Sequence, residues 1–226
     1  MENNFKHFFF DGYDYNEQEL SSVNNMEALI NTINQKYFNS QGIIKIIPYF
    51  NGKVPADGGV SGTILGQNSH FTCHTFCYQK TLFIDYFGPL ANHEKVKADI
   101  LAVYPTSDYD LCTNNQNLIG NFGKHIIVEK DNPFTYLEAL NLIKKILIDI
   151  EMTPICDTIT RKTDDTNFDM LQVIAESHIS IHQAANKTAI DTFSCKYFDE
   201  QKLLALLGTN DYQEIIRGVK YKQKRP

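Results

Sequence analysis

The sequence lacks any long hydrophobic run, any excess of basic residues and any tryptophan. No run approaches the ~18 apolar residues of a membrane span, and the N-terminus lacks the charged-then-apolar pattern of a secretion signal. The formal net charge of −6 leaves no basic footprint for nucleic acid. The short basic tail from Lys220 to Arg225 is interpreted as a solvated end. We therefore expect a soluble cytoplasmic protein that has neither a membrane nor a nucleic acid as a partner.

The five cysteines are odd in number and scattered along the chain. This usage favours reduced thiols over a disulfide framework. His70, Cys73, His74 and Cys77 lie close enough in sequence to suggest a zinc site. In a strand, however, the two cysteines would face one side and the two histidines the other, so the four cannot converge on one ion. We predict no metal site.

Hydrophobic periodicity and turn residues divide the chain into short strands and a few helices. Strands are predicted over residues 6–12, 42–50, 59–65, 69–76, 81–87, 123–129, 153–163 and 167–175, and on both sides of a turn at 185–187. Helices are predicted over residues 25–38, 93–103, 133–150 and 199–207.

A repeated motif indicates that the chain is a duplication. The pattern Ser-His-x-x-x-His starts at Ser69 and again at Ser177, and the strands that open the two halves both carry Lys-His. We therefore predict an α+β fold of two two-layer α/β sandwich units with antiparallel sheets, related as a tandem pseudo-twofold duplication. The predicted units are residues 1–110 and 111–226. The polar segment 105–121 is predicted to link them.

The second motif lies in a predicted hairpin that carries chemistry. Residues 175–182 and 191–195 both alternate in polarity, with a polar turn between them. If Asn186 is the centre of the turn, Ser177 lies directly opposite Cys195, and cross-strand partners are close neighbours. By the same alternation His182 faces the other side. The hairpin is thus expected to offer a nucleophile and an acid, but no base on their side.

These residues carry a family resemblance. Glu-Ser-His-Ile-x-Ile-His followed by Asp-x-Phe-x-Cys resembles the core of the bacterial S-adenosylmethionine decarboxylases. The resemblance implies that the bond between Glu176 and Ser177 cleaves itself, and that Ser177 becomes a pyruvoyl group, the cofactor of a carboxy-lyase. It implies that Cys195 donates a proton in the decarboxylation. It covers nearly all of the chain, as two family units fused, and implies a role in spermidine biosynthesis.

The first half carries further residues that resemble the family's processing residues. These are Ser61, within Gly-Val-Ser-Gly, and His74. A turn at residues 67–68 would also place Ser61 opposite His74 across a hairpin, independently of the resemblance. His74 is the candidate base for the Ser177 α-proton, because an unperturbed histidine is neutral near pH 7.

The two halves differ in complementary ways. Pro89 takes the cysteine position in the first half, and Asp169 takes the processing-serine position in the second. We therefore expect the halves to supply one complete site between them. The chain is expected to be a monomer of two fused units or a homodimer of these. A second cleavage at Ser69 is not expected, because Asn68 replaces the glutamate before it.

The substrate residues depart most from the family. Tyr78 stands in place of a glutamate that binds ribose, and Asp11 could replace that acid. Pro55 stands in place of an aromatic that stacks on adenine, and Phe9 or Phe10 could stack instead. The expected partner is a small amino-acid-like substrate: S-adenosylmethionine, with arginine or ornithine as alternatives. A catalytically inactive relative that regulates an active decarboxylase is the alternative of another class.

Overall fold

The structure is a computed structural model that describes residues 5–50, 55, 58–89, 93–113, 120–131, 133–175 and 177–220. The chain divides into two compact units, Met1–Gln116 and Asn117–Pro226. The division lies six residues beyond the predicted one at 110, because a strand that crosses residue 110 pairs inside the first unit. Glu176, half of the predicted cleavage bond, lies outside the described residues.

The first unit contains a six-stranded sheet with the order β2-β3-β4-β5-β1-β6, in which every neighbouring pair is antiparallel. Its strands are β1 (Phe5–Gly12), β2 (Ile43–Tyr49), β3 (Gly59–Gly66), β4 (Ser69–Phe76), β5 (Thr81–Pro89) and β6 (Tyr109–Thr113). Its helices are α1 (Glu17–Leu20), α2 (Val23–Tyr37) and α3 (His93–Val103).

The second unit contains another six-stranded antiparallel sheet, with the order β8-β9-β10-β11-β7-β12. Its strands are β7 (Gly123–Lys130), β8 (Ile159–Lys162), β9 (Phe168–Ile174), β10 (Ser177–Ala184), β11 (Lys187–Ser194) and β12 (Gln213–Arg217). Its helices are α4 (Tyr136–Asp149) and α5 (Glu200–Leu207).

The two sheets repeat the same topology strand for strand. β1 corresponds to β7, and β2 through β6 correspond to β8 through β12. The long helix that follows the first strand of each unit corresponds as well, α2 with α4. The predicted α+β duplication with antiparallel sheets is therefore confirmed.

In each unit one face of the sheet packs against the helices. In the first unit Met26 and Ile30 of α2 pack with Phe8, Ile64 and Phe71 from the sheet. In the second unit, Ile143 and Ile146 of α4 pack in the same way with sheet residues that include Ile179 and Ile181. Each such side chain contributes about 1.5–3 kcal/mol when it leaves water. Because strands alternate, the residues between these apolar ones belong to the opposite face, and most are polar.

Four elements differ from the predictions. β6 lies within the segment predicted as a linker, and β12 and α1 were not predicted. The predicted strand 153–163 is regular only over β8, with an isolated bridge between Pro154 and Ile174 before it. β6, β8 and β12 are edge strands, which pair with a neighbour on one side only. Their sequences therefore need a less regular apolar pattern, and the pattern predicts them less well.

Within the described part of the chain, no helix combines the length and the hydropathy that a bilayer crossing requires.

Candidate active site

The hairpin that carries Ser177 has a tighter turn than the sequence suggested. Ala184 pairs with Lys187, so only Ala185 and Asn186 form the turn, and Ala185 takes a φ of 53°. As a result Ser177 pairs with Ser194. The predicted direct pairing of Ser177 with Cys195 is wrong by one residue.

Cys195 follows immediately after β11, at the end of the sheet where β10 begins. It is partly exposed and forms no disulfide. A Cβ on Gly123 of β7 would lie 3.1 Å from the Cys195 Cα and 2.6 Å from the Ser194 oxygen. Glycine at position 123 therefore allows β7 to run close beside the cysteine.

Ser177 has an unusual backbone conformation. Its φ is 152°, a value that residues with a side chain rarely adopt. The residue is buried, with a relative exposure of 1 %. Such a conformation costs on the order of 1–3 kcal/mol for a residue with a side chain, and it persists only where the surroundings enforce it. The strain lies at the residue that follows the predicted cleavage bond.

A base does contact Ser177 within its own hairpin. The Ser177 Oγ lies 3.3 Å from Nδ1 of His178. Strand alternation alone would direct consecutive side chains to opposite faces, and the expectation that no base shares the side of Ser177 followed from that rule. The contact with His178 nevertheless occurs, at a serine whose φ departs from a regular strand.

In the first unit the structure brings Ser61 and His74 together as predicted. They are direct partners across β3 and β4, and the Ser61 Oγ lies 2.9 Å from His74 Nδ1. The glycines on both sides of Ser61 have packing reasons. A Cβ on Gly59 would lie 1.8 Å from the Thr75 carbonyl oxygen, and one on Gly62 would lie 2.4 Å from Met26 Sδ of α2.

The second unit holds the corresponding pair as an acid and a base. Asp169 on β9 pairs with His182 on β10, and Asp169 Oδ1 lies 2.7 Å from His182 Nδ1. Both side chains are buried. The duplicated topology thus places Asp169 at the position of Ser61, and it gives His182 a carboxylate partner where His74 has a hydroxyl.

The predicted substrate residues are distributed over three places. Phe9 is buried on the face of β1 that carries His7, and the two rings stack with centroids 5.5 Å apart. Phe10 lies instead in the helix-covered core, stacked on Tyr109. Tyr78 lies in the turn after β4 and is 62 % exposed. Asp11 is buried on the same face of β1 as Phe9.

The residues weighed as zinc ligands are separated as strand alternation predicts. Cys73 and Cys77 pack in the helix-covered core of the first unit. His70 faces the other way and bonds through Nε2 to Asp85 Oδ2 at 3.1 Å. Burial raises the pKa of the Cys73 thiol well above its ordinary value, so this thiol stays protonated near neutral pH.

Comparison with protein families supplies independent evidence. Residues 124–210 match the model of the S-adenosylmethionine decarboxylase family. The match confirms the family resemblance in the second unit. The matched S-adenosylmethionine decarboxylase segment contains β10 and β11, and with them Ser177, His178 and Cys195.

Comparison with the curated proteins finds no match. Among solved structures, the adenosylmethionine decarboxylase from Aquifex aeolicus VF5 is similar over 54 % of this chain and 97 % of its own, with 16 % identity and a TM-score of 0.40. A protein described as unknown, from Galdieria sulphuraria, aligns over 95 % of this chain and 100 % of its own, with 10 % identity and a TM-score of 0.22.

Several residues around Ser177 were not predicted to have a role. They are His178, Asp191, His125 and Arg217, all from the second unit and all buried. One signal was available in the sequence, since the two opening strands share Lys-His and the two motif strands share Ser-His. By itself that repetition indicates duplication and assigns no role to the histidines.

Proposed function

We propose that the chain is an autoprocessing, pyruvoyl-dependent decarboxylase of S-adenosylmethionine that cleaves itself between Glu176 and Ser177. One observation carries the proposal. In the segment that matches the family, the serine after the predicted cleavage bond is buried, has a strained φ and has a histidine nitrogen beside its hydroxyl. Strain and an adjacent base both favour attack by a serine on the carbonyl that precedes it.

Processing in this proposal begins with two base-assisted steps and ends with a hydrolysis. The Ser177 Oγ attacks the Glu176 carbonyl carbon, the peptide C–N bond breaks, and an ester and a free amine result. A base then takes the Ser177 α-proton, and the Cβ–Oγ bond of Ser177 breaks, which leaves dehydroalanine at position 177 and places the electron pair on the new C-terminal carboxylate of residue 176. We assign the role of this second base to His74. The Ser61 hydroxyl forms a hydrogen bond with Nδ1 of His74. Water finally releases ammonia.

The chain's own residues fit a pyruvoyl group at position 177. A pyruvoyl group there supplies an electron-withdrawing ketone that condenses with a substrate amine. Cys195, at the same end of the sheet and partly exposed, holds at Sγ the proton returned to the substrate carbon. Phe9 is the aromatic assigned to the substrate, with Asp11 as a buried acid beside it.

Processing is tested first, by intact mass and denaturing electrophoresis of the purified chain. We expect two fragments, residues 1–176 and 177–226, with a carbonyl-reactive N-terminus on the smaller. A single chain of 25.9 kDa that persists through prolonged incubation would contradict the proposal and favour an inactive regulatory relative.

The substrate is tested on the cleaved protein by carbon dioxide release from S-adenosylmethionine, arginine and ornithine. We expect S-adenosylmethionine to be turned over fastest. Tyr78 is exposed in a turn and is no carboxylate, so the acid for two ribose hydroxyls must come from elsewhere. An Asp11→Asn variant should therefore raise KM for S-adenosylmethionine. Faster turnover of arginine or ornithine would change the substrate and leave the processing reaction as proposed.

A further inference from the structure

A series of neighbouring buried polar groups leads away from Ser177 through the second unit. The Ser177 Oγ lies 3.3 Å from Nδ1 of His178, and Nε2 of that ring lies 3.7 Å from Asp191 Oδ2. The other oxygen of Asp191 bonds to Nε2 of His125. Nδ1 of His125 lies 3.4 Å from Nη1 of Arg217. All five side chains are buried.

Arginine fixes the direction of the protons in this chain, because a guanidinium only donates hydrogen bonds. If Arg217 donates to Nδ1 of His125, the proton of that ring is on Nε2 and points to Asp191. The carboxylate of Asp191 then favours the proton of His178 on Nε2, at ion-pair distance. Nδ1 of His178 is left as an acceptor, and the hydroxyl of Ser177 is its donor.

The buried arginine is held in place by packing as well. The guanidinium carbon of Arg217 lies 4.9 Å from the centroid of the Phe193 ring, a cation–π distance. The His125 ring stacks on the same phenylalanine, with centroids 5.3 Å apart. Phe193 therefore supports the two members of the chain farthest from Ser177.

The first unit shows which part of this arrangement is specific to Ser177. It also has an aspartate between two histidines, since Asp85 lies 3.1 Å from His70 Nε2 and 3.5 Å from His7 Nδ1. The hydroxyl of Ser69, which corresponds to Ser177, donates instead to the carbonyl of Gln67 at 3.1 Å. The contact between a serine hydroxyl and the following histidine is thus a feature of the second unit.

We propose that His178 is the general base of the first processing step, and that Asp191, His125 and Arg217 are positioning residues that hold its Nδ1 ready to accept. The Ser177 Oγ–H proton passes to His178 Nδ1 as Oγ bonds to the Glu176 carbonyl carbon. The C–N bond then breaks, and His178 returns the proton to the Ser177 nitrogen. No oxidant or further reactant is needed. This inference rests on the proposed self-cleavage and assigns His178 and His74 to different steps.

The test compares the cleavage rates of precursors made by cell-free synthesis. His178→Asn removes the base, and we expect cleavage to slow by about 100-fold or more, the range of a lost general base. His182→Asn is the matched control: it lies on the same strand, is buried, and bonds to a carboxylate, but its contact is with Asp169. It should cleave within a few-fold of the wild-type rate.

Neutral hydroxylamine separates the two steps, because it cleaves esters, and the Asn51-Gly52 peptide bond, which alkaline hydroxylamine cuts, would give fragments of different mass. His74→Asn should accumulate the ester and be cut by hydroxylamine between residues 176 and 177. His178→Asn should not, since its ester never forms. Imidazole added to His178→Ala should restore part of the rate, an effect that a merely structural histidine would not show.

The outcomes are distinct. Cleavage of His178→Asn at the wild-type rate, equal slowing of the His178 and His182 variants, or ester accumulation in His178→Asn would each overturn the role of His178 and leave the proposed function standing. A wild-type chain that never cleaves would overturn both.

Discussion

Ser177 is set apart from the corresponding Ser69 by its backbone conformation and by the partner of its hydroxyl. Ser177 has a φ of 152° and a histidine neighbour, whereas the Ser69 hydroxyl bonds to a main-chain carbonyl. We expect Ser177→Ala to leave the chain uncut, because no nucleophile remains. Ser69→Ala should be cut at the wild-type rate, which intact mass over time will show. Three fragments from the wild-type chain, reduced to two in the Ser69 variant, would mean that both halves process.

Arg217 allows a second prediction at the residue scale. Arg217→Met removes the donor that fixes the His125 tautomer, and we expect processing to slow roughly tenfold, the equivalent of about 1.4 kcal/mol in the barrier. Arg217→Lys keeps a donor and should retain more of the rate. Arg217→Met removes the cation over Phe193 and Arg217→Lys keeps one, so the melting temperatures of both variants are compared with the wild type to separate stability from processing. Equal rates for the two would argue against a tautomer role.

At the scale of elements, the capping box of α4 allows a pH prediction. Glu138 accepts the backbone N–H of Thr135 at 2.8 Å, and this bond, with that of the Thr135 hydroxyl, lowers the pKa of Glu138. Its stabilising effect is fully present above the ordinary glutamate pKa of 4.5 and is lost as the pH falls through the lowered value. Glu138→Ala should therefore destabilise the protein at pH 7 and progressively less in acid.

Urea unfolding at pH 7 and at a pH below that lowered value measures this difference. Glu27→Ala, at an exposed position inside α2, is the control. The difference in its free energy of unfolding from wild type should not become smaller in acid. A gap between Glu138→Ala and wild type that is constant with pH would show that the carboxylate does not act through its charge.

The elements also show what the sequence could predict. Gln67 and Asn68 form a turn that was recognised from composition, and the pairing of Ser61 with His74 followed. The turn at Ala185 and Asn186 places an alanine at positive φ, which alanine rarely adopts, so nothing in the sequence indicated a two-residue loop. The series of contacts from His178 through Asp191 and His125 to Arg217 depends on the register of β7, β11 and β12 together. The sequence of β12 has no periodic pattern that predicts a strand.

At the scale of the whole molecule, the proposed cleavage point lies between two paired strands of the second sheet, β9 and β10. The fragment 177–226 would supply β10, β11 and β12, and the fragment 1–176 would supply β7, β8 and β9. In the sheet these strands interleave, since β7 lies between β11 and β12, and β9 pairs with β10. We expect the two fragments to co-elute in native gel filtration and to separate only in denaturant. Separation under native conditions would contradict this strand order.

The same interleaving makes the molecularity of refolding depend on whether the backbone is cut. An uncut Ser177→Ala chain has every strand of the second sheet on one polypeptide, so its return from urea is first order and independent of concentration. After cleavage, β7 cannot regain both neighbours without meeting a different molecule. Recovery then becomes second order and slows on dilution. Self-cleavage at the proposed bond would therefore make the stability of the folded second unit depend on protein concentration, as it does for a complex of two different chains.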